Sequence, residues 1–158
     1  MQAEHICSDC GAKLSPDVQG GLCVRCLFTL GLKNEAGTEA AASVVPITDD
    51  STPETLFERR WALTLMDHVM DRLRADYTAT GKGELYAALQ GHLTRAEKLV
   101  PYAEMGAGFG MSEGAVKAAM GQLRKRYRKL LRAEIATTVS GPEEVEDEIR
   151  HLRAVASR

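Results

Sequence analysis

The chain has 158 residues and a formal net charge of −2; 44% of its residues are hydrophobic and only 5% are aromatic. This length and composition predict a mainly α-helical protein with one small core beside a metal-stabilised lobe, which leaves little room for a catalytic cleft. The chain shows neither a signal peptide nor an apolar run of membrane-spanning length, so we expect a cytoplasmic protein without a membrane partner.

All four cysteines lie near the N-terminal end, as two C-x-x-C pairs separated by twelve residues: Cys7 with Cys10, and Cys23 with Cys26. Each pair can wrap around a tetrahedral ion, and Gly11 suits the tight turn that such a knuckle needs. The pattern predicts a zinc ribbon over residues 1–32, with a short β-hairpin and one structural Zn²⁺ held by four thiolates. A disulfide pair or a redox C-x-x-C is less favoured, because the expected compartment is reducing and no βαβ pattern surrounds the motif.

A lobe of 32 residues buries too little apolar area to fold alone, so metal binding, worth about 10–16 kcal/mol in comparable peptides, must order it. Its second half is more apolar than its own packing requires. Docking of a partner protein there is favoured, although the same residues would equally well pack against the helical domain. Residues 33–53 are rich in Ala, Thr, Ser and acids, which indicates a flexible acidic linker.

A helical domain is predicted over residues 54–136. The sequence from Ser51 to Glu54 has a capping-box pattern with proline in the first turn. The apolar stripe of the first helix includes Phe57, Trp61, Leu65, Met66, Val69, Met70, Leu73 and Tyr77, and is read as core. A loop at 80–83, a short helix at 85–93 and a turn or short helix at 94–99 follow.

A helix-turn-helix is predicted next. Tyr102, Met105 and Phe109 are expected to form the inner face of a short helix that Gly110 ends, since glycine readily adopts a positive φ. Gly106 and Gly108 each weaken that helix by roughly 1 kcal/mol relative to alanine. Ser112 is a suitable N-cap for the following helix. In this motif the second helix enters the major groove of DNA.

The second helix of the motif is strongly basic on all but one face. Seven Lys or Arg residues and no acid lie between Gly114 and Ala133. Its apolar stripe consists of Val116, Met120, Leu123, Tyr127 and Leu130. A merely solvated face would normally include acids paired with these bases, so their absence favours a polyanion partner.

One more amphipathic helix is predicted within residues 137–158. Five acids cluster at its start and arginines lie toward its end, as the helix dipole prefers. Val145, Ile149, Leu152 and Val155 form its apolar stripe. It is interpreted as a packing helix or a dimer contact; a less favoured alternative places its acids over the basic helix, where they would compete with DNA.

The segments 102–104, 110–117 and 123–131 resemble region 4 of the extracytoplasmic-function sigma factors of bacterial RNA polymerase. Residues 57–65 are similar to the helix that leads into region 4 in some of those proteins. The resemblance covers about residues 53–135 and implies recognition of the −35 promoter element and contact with the polymerase. Region 2 of that family has no counterpart here. Ala118 and Ala119 stand where the family often has Ser-Arg.

If duplex DNA is the partner, residue roles follow. Ser112 and the adjacent backbone N–H groups would meet a phosphate. The positions expected at base edges are Glu113, Gly114, Lys117 and Ala118. The side chains expected to neutralise phosphates are Arg124, Lys125 and Arg128. We therefore expect a DNA-binding transcription regulator; the alternative is a zinc-ribbon adaptor that binds proteins, for example RNA polymerase core, without reading DNA sequence.

An enzyme is the least favoured class. His68, His92 and His151 are isolated on predicted helices, where histidines are more often surface or core residues than catalysts. No nucleophile elbow, paired-carboxylate motif or phosphate loop is present. We expect neither catalysis nor a small-molecule substrate.

Overall fold

A computed structural model of the chain describes residues 6–12, 14, 22–32, 52–93 and 99–156. The described part is mainly helical, as the sequence predicts. It contains six α-helices and one short 3₁₀ turn: α1 (Val24–Leu32), α2 (Pro53–Ala79), α3 (Gly83–Gln90), α4 (Tyr102–Phe109), α5 (Glu113–Ala136), the 3₁₀ turn (Pro142–Glu144) and α6 (Val145–Val155). The expected β-hairpin and the turn expected at 94–99 fall largely outside the described residues.

Helix α2 begins one residue later than the capping-box pattern suggests. Thr52 is its N-cap, and its hydroxyl accepts a hydrogen bond from the Thr55 backbone N–H at 3.3 Å. Proline at the first helical position needs no backbone donor there, so Pro53 fits. The buried residues of α2 are Ala62, Leu65, Met66, Val69 and Leu73.

The prediction that Phe57 belongs to the core is wrong, since 72% of its surface is exposed. Leu56 beside it is 57% exposed, and the buried stripe of α2 begins only at Ala62. A helical period identifies which face of a helix is apolar. It does not say which residues of that face a neighbouring helix covers, and Phe109, predicted on the inner face of its helix, is likewise 38% exposed.

The turn between α4 and α5 confirms the role predicted for Gly110, which adopts a left-handed conformation with φ 65°. The backbone N–H of Met111 donates to the Gly106 carbonyl oxygen at 2.8 Å, which closes the end of α4. Gly106 is buried, and a Cβ built on it would lie 2.5 Å from the Met111 carbonyl oxygen. The close approach of α4 to the turn therefore requires a glycine at 106.

Gly106→Ala is expected to lower the free energy of unfolding by about 1–3 kcal/mol, because backbone must shift to admit the methyl group. Gly108→Ala is the matched control: a Cβ there meets nothing within 4 Å. Since alanine is the better helix former, that variant should gain up to about 1 kcal/mol. Urea unfolding of both variants measures the difference. Equal effects of the two substitutions would refute the close approach.

Helix α5 runs through the centre of the bundle. The predicted apolar stripe is confirmed, since Val116, Met120, Leu123, Tyr127 and Leu130 are all buried. Leu131 and Ile135, near the C-terminal end of the helix, are buried as well. Helix α4 packs against α5, as do α1, α2 and α6. The basic helix is therefore also the main structural helix of the fold.

Helices α1 and α6 pack against each other and against α5. Leu27 and Phe28 of α1 are fully buried in the same core as Ile149 and Leu152 of α6. The apolar residues around the second cysteine pair therefore contact the helical domain, one of the two alternatives that the sequence leaves open. Among the residues that the structure describes, no helix combines the length and apolar character needed to cross a membrane.

Candidate metal centre and nucleic-acid interface

The first cysteine pair lies in a tight knuckle. The Cys7 carbonyl oxygen accepts a hydrogen bond from the Gly11 N–H at 2.9 Å, and the Cys7 N–H donates to the Ala12 carbonyl oxygen at 2.9 Å. Gly11 has φ 69°, the left-handed conformation that favours glycine. The prediction that Gly11 shapes this turn is confirmed.

The second cysteine pair lies at the start of α1. Cys23 immediately precedes the helix, Cys26 lies in its first turn, and the Leu27 N–H donates to the Cys23 carbonyl oxygen at 3.0 Å. The Arg25 guanidinium between them donates to the Cys10 carbonyl oxygen at 3.4 Å, which ties the helix to the first knuckle. One ligand pair is thus held by a turn and the other by a helix.

The four sulfur atoms converge. Cys7 Sγ lies 3.7 Å from Cys26 Sγ, and Cys10 Sγ lies 3.5 Å from Cys23 Sγ. All four Sγ atoms are within 4.8 Å of one another. A tetrahedron with metal–sulfur bonds of about 2.3 Å has sulfur–sulfur edges of about 3.8 Å. The four cysteines therefore fit one tetrahedral metal ion with all positions filled by protein.

The thiols strongly influence each other's ionisation. A hydrogen bond from the Cys26 thiol lowers the pKa of Cys23 to about 5. Burial raises the pKa of Cys10 to about 11, and the hydrogen bond to Cys23 raises the pKa of Cys26. Ionisation of one thiol therefore opposes ionisation of its neighbours, and four thiolates at this separation repel one another unless a cation lies between them. Metal binding must release protons from this cluster.

The N-terminal end of α5 is exposed. Ser112 is its N-cap, as predicted, and its hydroxyl accepts a hydrogen bond from the Ala115 N–H at 3.1 Å. The residues predicted for base edges, Glu113, Gly114, Lys117 and Ala118, are all exposed in the first two turns. The structure brings these five predicted residues together on one accessible helix end.

Lys117 and Glu113 are paired with each other. Lys117 Nζ lies 2.6 Å from a Glu113 carboxylate oxygen, and the side chains are 58% and 50% exposed. The carboxylate raises the pKa of Lys117, which stays positively charged. An exposed pair of this kind contributes little to stability and separates at low cost. Both side chains therefore remain available to another partner.

Arg124 has a structural contact that the sequence does not indicate. Its guanidinium donates to the His92 carbonyl oxygen at 3.3 Å, just after α3. The His92 ring packs against Tyr102, with ring centroids 4.9 Å apart. Burial and the nearby Arg124 charge lower the pKa of His92, so the imidazole is neutral. Arg124 thus ties α5 to the start of α4.

The other cations of α5 divide between two sides of the helix. Arg126 binds Asp76 of α2, with its guanidinium NH2 group 2.6 Å from a carboxylate oxygen. Arg132 reaches Glu146 of α6 at 3.1 Å. Lys125 is exposed and Arg128 is half-buried, and Arg128 follows Lys117 by eleven residues, which places both on one face. Of the predicted phosphate contacts, Lys125 is exposed, whereas Arg124 and Arg128 are both half-buried.

Sequence reasoning missed the contact that joins α1, which begins at the second cysteine pair, to α5. The Tyr127 hydroxyl donates to the Leu27 carbonyl oxygen at 2.6 Å. Because the acceptor is a backbone atom, no residue type at position 27 signals this bond. The apolar stripe of α5 correctly places Tyr127 inside, but its partner depends on how α1 packs.

A comparison with known families, curated proteins and solved structures finds no match to this chain.

Proposed function

We propose that this protein is a transcription regulator that binds double-stranded DNA through α5, from its N-cap Ser112 to Arg128. The observation that carries the proposal is the accessible helix end after the Gly110 turn, capped by Ser112 and continued by a strongly cationic helix. A short turn joins α4 to α5, and the N-terminal end of α5 is exposed. A helix-turn-helix protein uses this layout to place its recognition helix in the major groove.

Backbone and side chains contribute in different ways. The first N–H groups of α5 lack helical partners and suit a phosphate oxygen, with Ser112 beside them. Lys117 donates to guanine and Glu113 accepts from cytosine once their mutual pair opens. Lys125 and Arg128 neutralise phosphates. Arg124 acts chiefly by positioning, because its guanidinium already holds the His92 carbonyl oxygen.

The exposed face of α5 offers few groups for base recognition. Gly114, Ala118, Gly121 and Lys125 follow one another at spacings of four, three and four, so they share a face, and all are exposed. Three of the four have no polar side-chain atom. We therefore expect close approach to the duplex, affinity that comes mainly from phosphates, and modest discrimination between sequences.

We propose Zn²⁺ as the ion of the four-cysteine centre. Four thiolates in a tetrahedron are the usual structural zinc set, and no coordination position is left for a substrate. The ion would order the knuckle and the start of α1. Thiolate-bound zinc and a DNA target both fit the cytoplasm, which is the compartment we propose.

The resemblance of residues 53–135 to sigma region 4 suggests RNA polymerase core as a protein partner. The exposed apolar side chains of Leu56 and Phe57 favour a second candidate function, an adaptor that docks on another protein, because large exposed apolar groups often mark such contacts. A DNA-binding regulator should bind a duplex in the absence of other proteins, whereas an adaptor should not.

Duplex titrations at several salt concentrations test the proposal. With about 4–6 phosphate contacts, log K should fall with log salt at a slope of about −4 to −5. Arg128→Ala should reduce the steepness by about 1 on every sequence, and Lys117→Ala should narrow the preference for a bound promoter over a random duplex.

Arg126→Ala is the matched control, since it removes one charge from the same helix on the side that faces Asp76. It should leave DNA affinity nearly unchanged. Salt-insensitive binding, or equal losses in all three variants, would overturn the assignment of this face. Absence of duplex binding together with retention of RNA polymerase would favour the adaptor.

A further inference from the structure

We infer that the metal centre acts as a latch for the DNA-binding helix: metal bound at the cysteines holds α1 against α5, and metal loss loosens α5. The effect on DNA affinity rests on the proposed function, whereas the effect on α5 itself does not. The inference depends on a continuous series of contacts from the cysteines to the centre of the bundle.

The first link is the start of α1. Cys23 immediately precedes the helix and Cys26 lies in its first turn, where the Leu27 N–H donates to the Cys23 carbonyl oxygen, and both cysteines are proposed metal ligands. Helix α1 has nine residues and no acid in its first turn. Isolated helices shorter than about 12–15 residues are marginal in water. The order of α1 therefore depends on metal ligation and on packing.

The second link joins α1 to α5. The Tyr127 hydroxyl donates to the Leu27 carbonyl oxygen at 2.6 Å, and Tyr127 is fully buried. Burial raises the pKa of Tyr127 well above its usual value, so the hydroxyl remains a donor. If α1 detached, this hydroxyl would lose its acceptor, and one side of the central helix would meet water.

The third link lies one turn further along both helices. Arg132 donates to the Gly31 carbonyl oxygen at 3.4 Å, and the fully buried Leu131 packs where Gly31 has no side chain. Leu27 thus meets Tyr127 and Gly31 meets Leu131, so the two helices run in the same direction. The cysteine end of α1 therefore points toward the N-terminal end of α5, where the proposed base contacts lie.

Metal and DNA then act on one protein equilibrium. If DNA binds the ordered form of α5 better than the loosened form, metal raises DNA affinity, and DNA raises metal affinity by the same factor. Couplings between linked sites commonly change affinity by about 5- to 150-fold. Metal occupancy would then control DNA binding even though the four cysteines do not contact the duplex.

Hydrogen exchange on the full chain tests the latch without DNA. The Zn²⁺-loaded protein is compared with the protein after chelation. Amide exchange is measured in two segments, residues 123–131 of α5 and helix α1. We expect metal removal to speed exchange in both segments, by a factor of about 5–150 in α5 if the coupling has its common size. Faster exchange confined to residues 6–32 would overturn the latch, and complete unfolding after chelation would support it.

Tyr127→Phe is the variant that weakens the link while keeping the ligands and the ring. In this variant metal removal should speed amide exchange in α5 by a smaller factor than in the unsubstituted protein. An equal factor in the two proteins would count against the link. Duplex affinity with and without Zn²⁺ is measured separately. If metal removal speeds amide exchange in α5 but the protein does not bind DNA, the latch is supported and the proposed function is refuted. If amide exchange in α5 does not depend on metal but the protein binds DNA, the proposed function is supported and the latch is refuted.

Discussion

Tyr127→Ala is expected to lower the free energy of unfolding by about 3–5 kcal/mol, the range for removal of a large buried aromatic side chain. Tyr127 is 0% exposed and lies at the centre of the bundle. Its ring packs in the core that α1, α2, α5 and α6 share, and its hydroxyl also lies 3.5 Å from Met66 Sδ. The substitution leaves a cavity at the point where these helices meet.

Tyr127→Phe separates the hydroxyl from the ring. It should cost about 0.5–1.5 kcal/mol, the usual net value of one hydrogen bond, because the ring still fills the core. Chemical denaturation of the zinc-loaded chain measures both variants. If alanine and phenylalanine at position 127 had the same effect, the ring would not be the main source of stability.

Removal of residues 140–158 is expected to abolish cooperative folding. Helix α6 contributes Val145, Ile149 and Leu152 to the core and covers both α1 and α5. Without it, Phe28 and Leu131, which are 0% exposed, would lose neighbours on one side. The free energy lost by exposing this apolar surface exceeds the total stability of a small domain, which is about 5–15 kcal/mol.

A single substitution measures the same contribution in a chain that still folds. Ile149→Ala should cost about 2–5 kcal/mol, since Ile149 is fully buried between helices. Asp147→Ala, two residues earlier and with a side chain 80% exposed, is the matched control and should stay within about 0.5 kcal/mol. Thermal unfolding distinguishes them. Similar melting temperatures for the two variants would show that α6 is not part of the stable core.

The same helix bears on the idea that its acids compete with DNA. Glu146 does lie against Arg132, with 3.1 Å between the carboxylate and the guanidinium. Arg132 lies one turn beyond Arg128, the last of the proposed phosphate contacts, and is remote from the proposed base contacts at Glu113 to Ala118. Because α6 is also core, its deletion would change folding and DNA binding together, so the acids are better tested by single substitutions.

Local chemistry accounts for the predictions that are confirmed. Ser112 caps α5, Gly110 turns the chain and the stripe from Val116 to Leu130 is buried, because capping, positive φ and helical period act within a few residues. The C-x-x-C spacing brings together the two cysteines of each pair, whereas the convergence of the two pairs depends on how the first knuckle packs against the start of α1. The proposed DNA contacts, metal binding and zinc as the bound ion stay predictions.

Long-range packing accounts for what the sequence leaves open or predicts wrongly. Phe57 repeats the apolar period yet is exposed, while the adjacent Glu58 lies 3.4 Å from His151 of α6. Arg124 and Arg126 look alike in sequence, yet one holds the His92 carbonyl oxygen and the other holds Asp76. These partners are distant in the chain, and no local pattern identifies them.

The order of residues by itself determined the end of α4, the start and the buried face of α5, and the two C-x-x-C pairs, since each depends on neighbours within one or two turns. Only the tertiary structure decided that the second pair opens a helix whose Leu27 carbonyl oxygen receives the Tyr127 hydroxyl. That bond joins residues 100 positions apart. It forms because α1 has an apolar face to bury and α5 and α6 leave a place for it, which is a property of the assembled core and not of any segment.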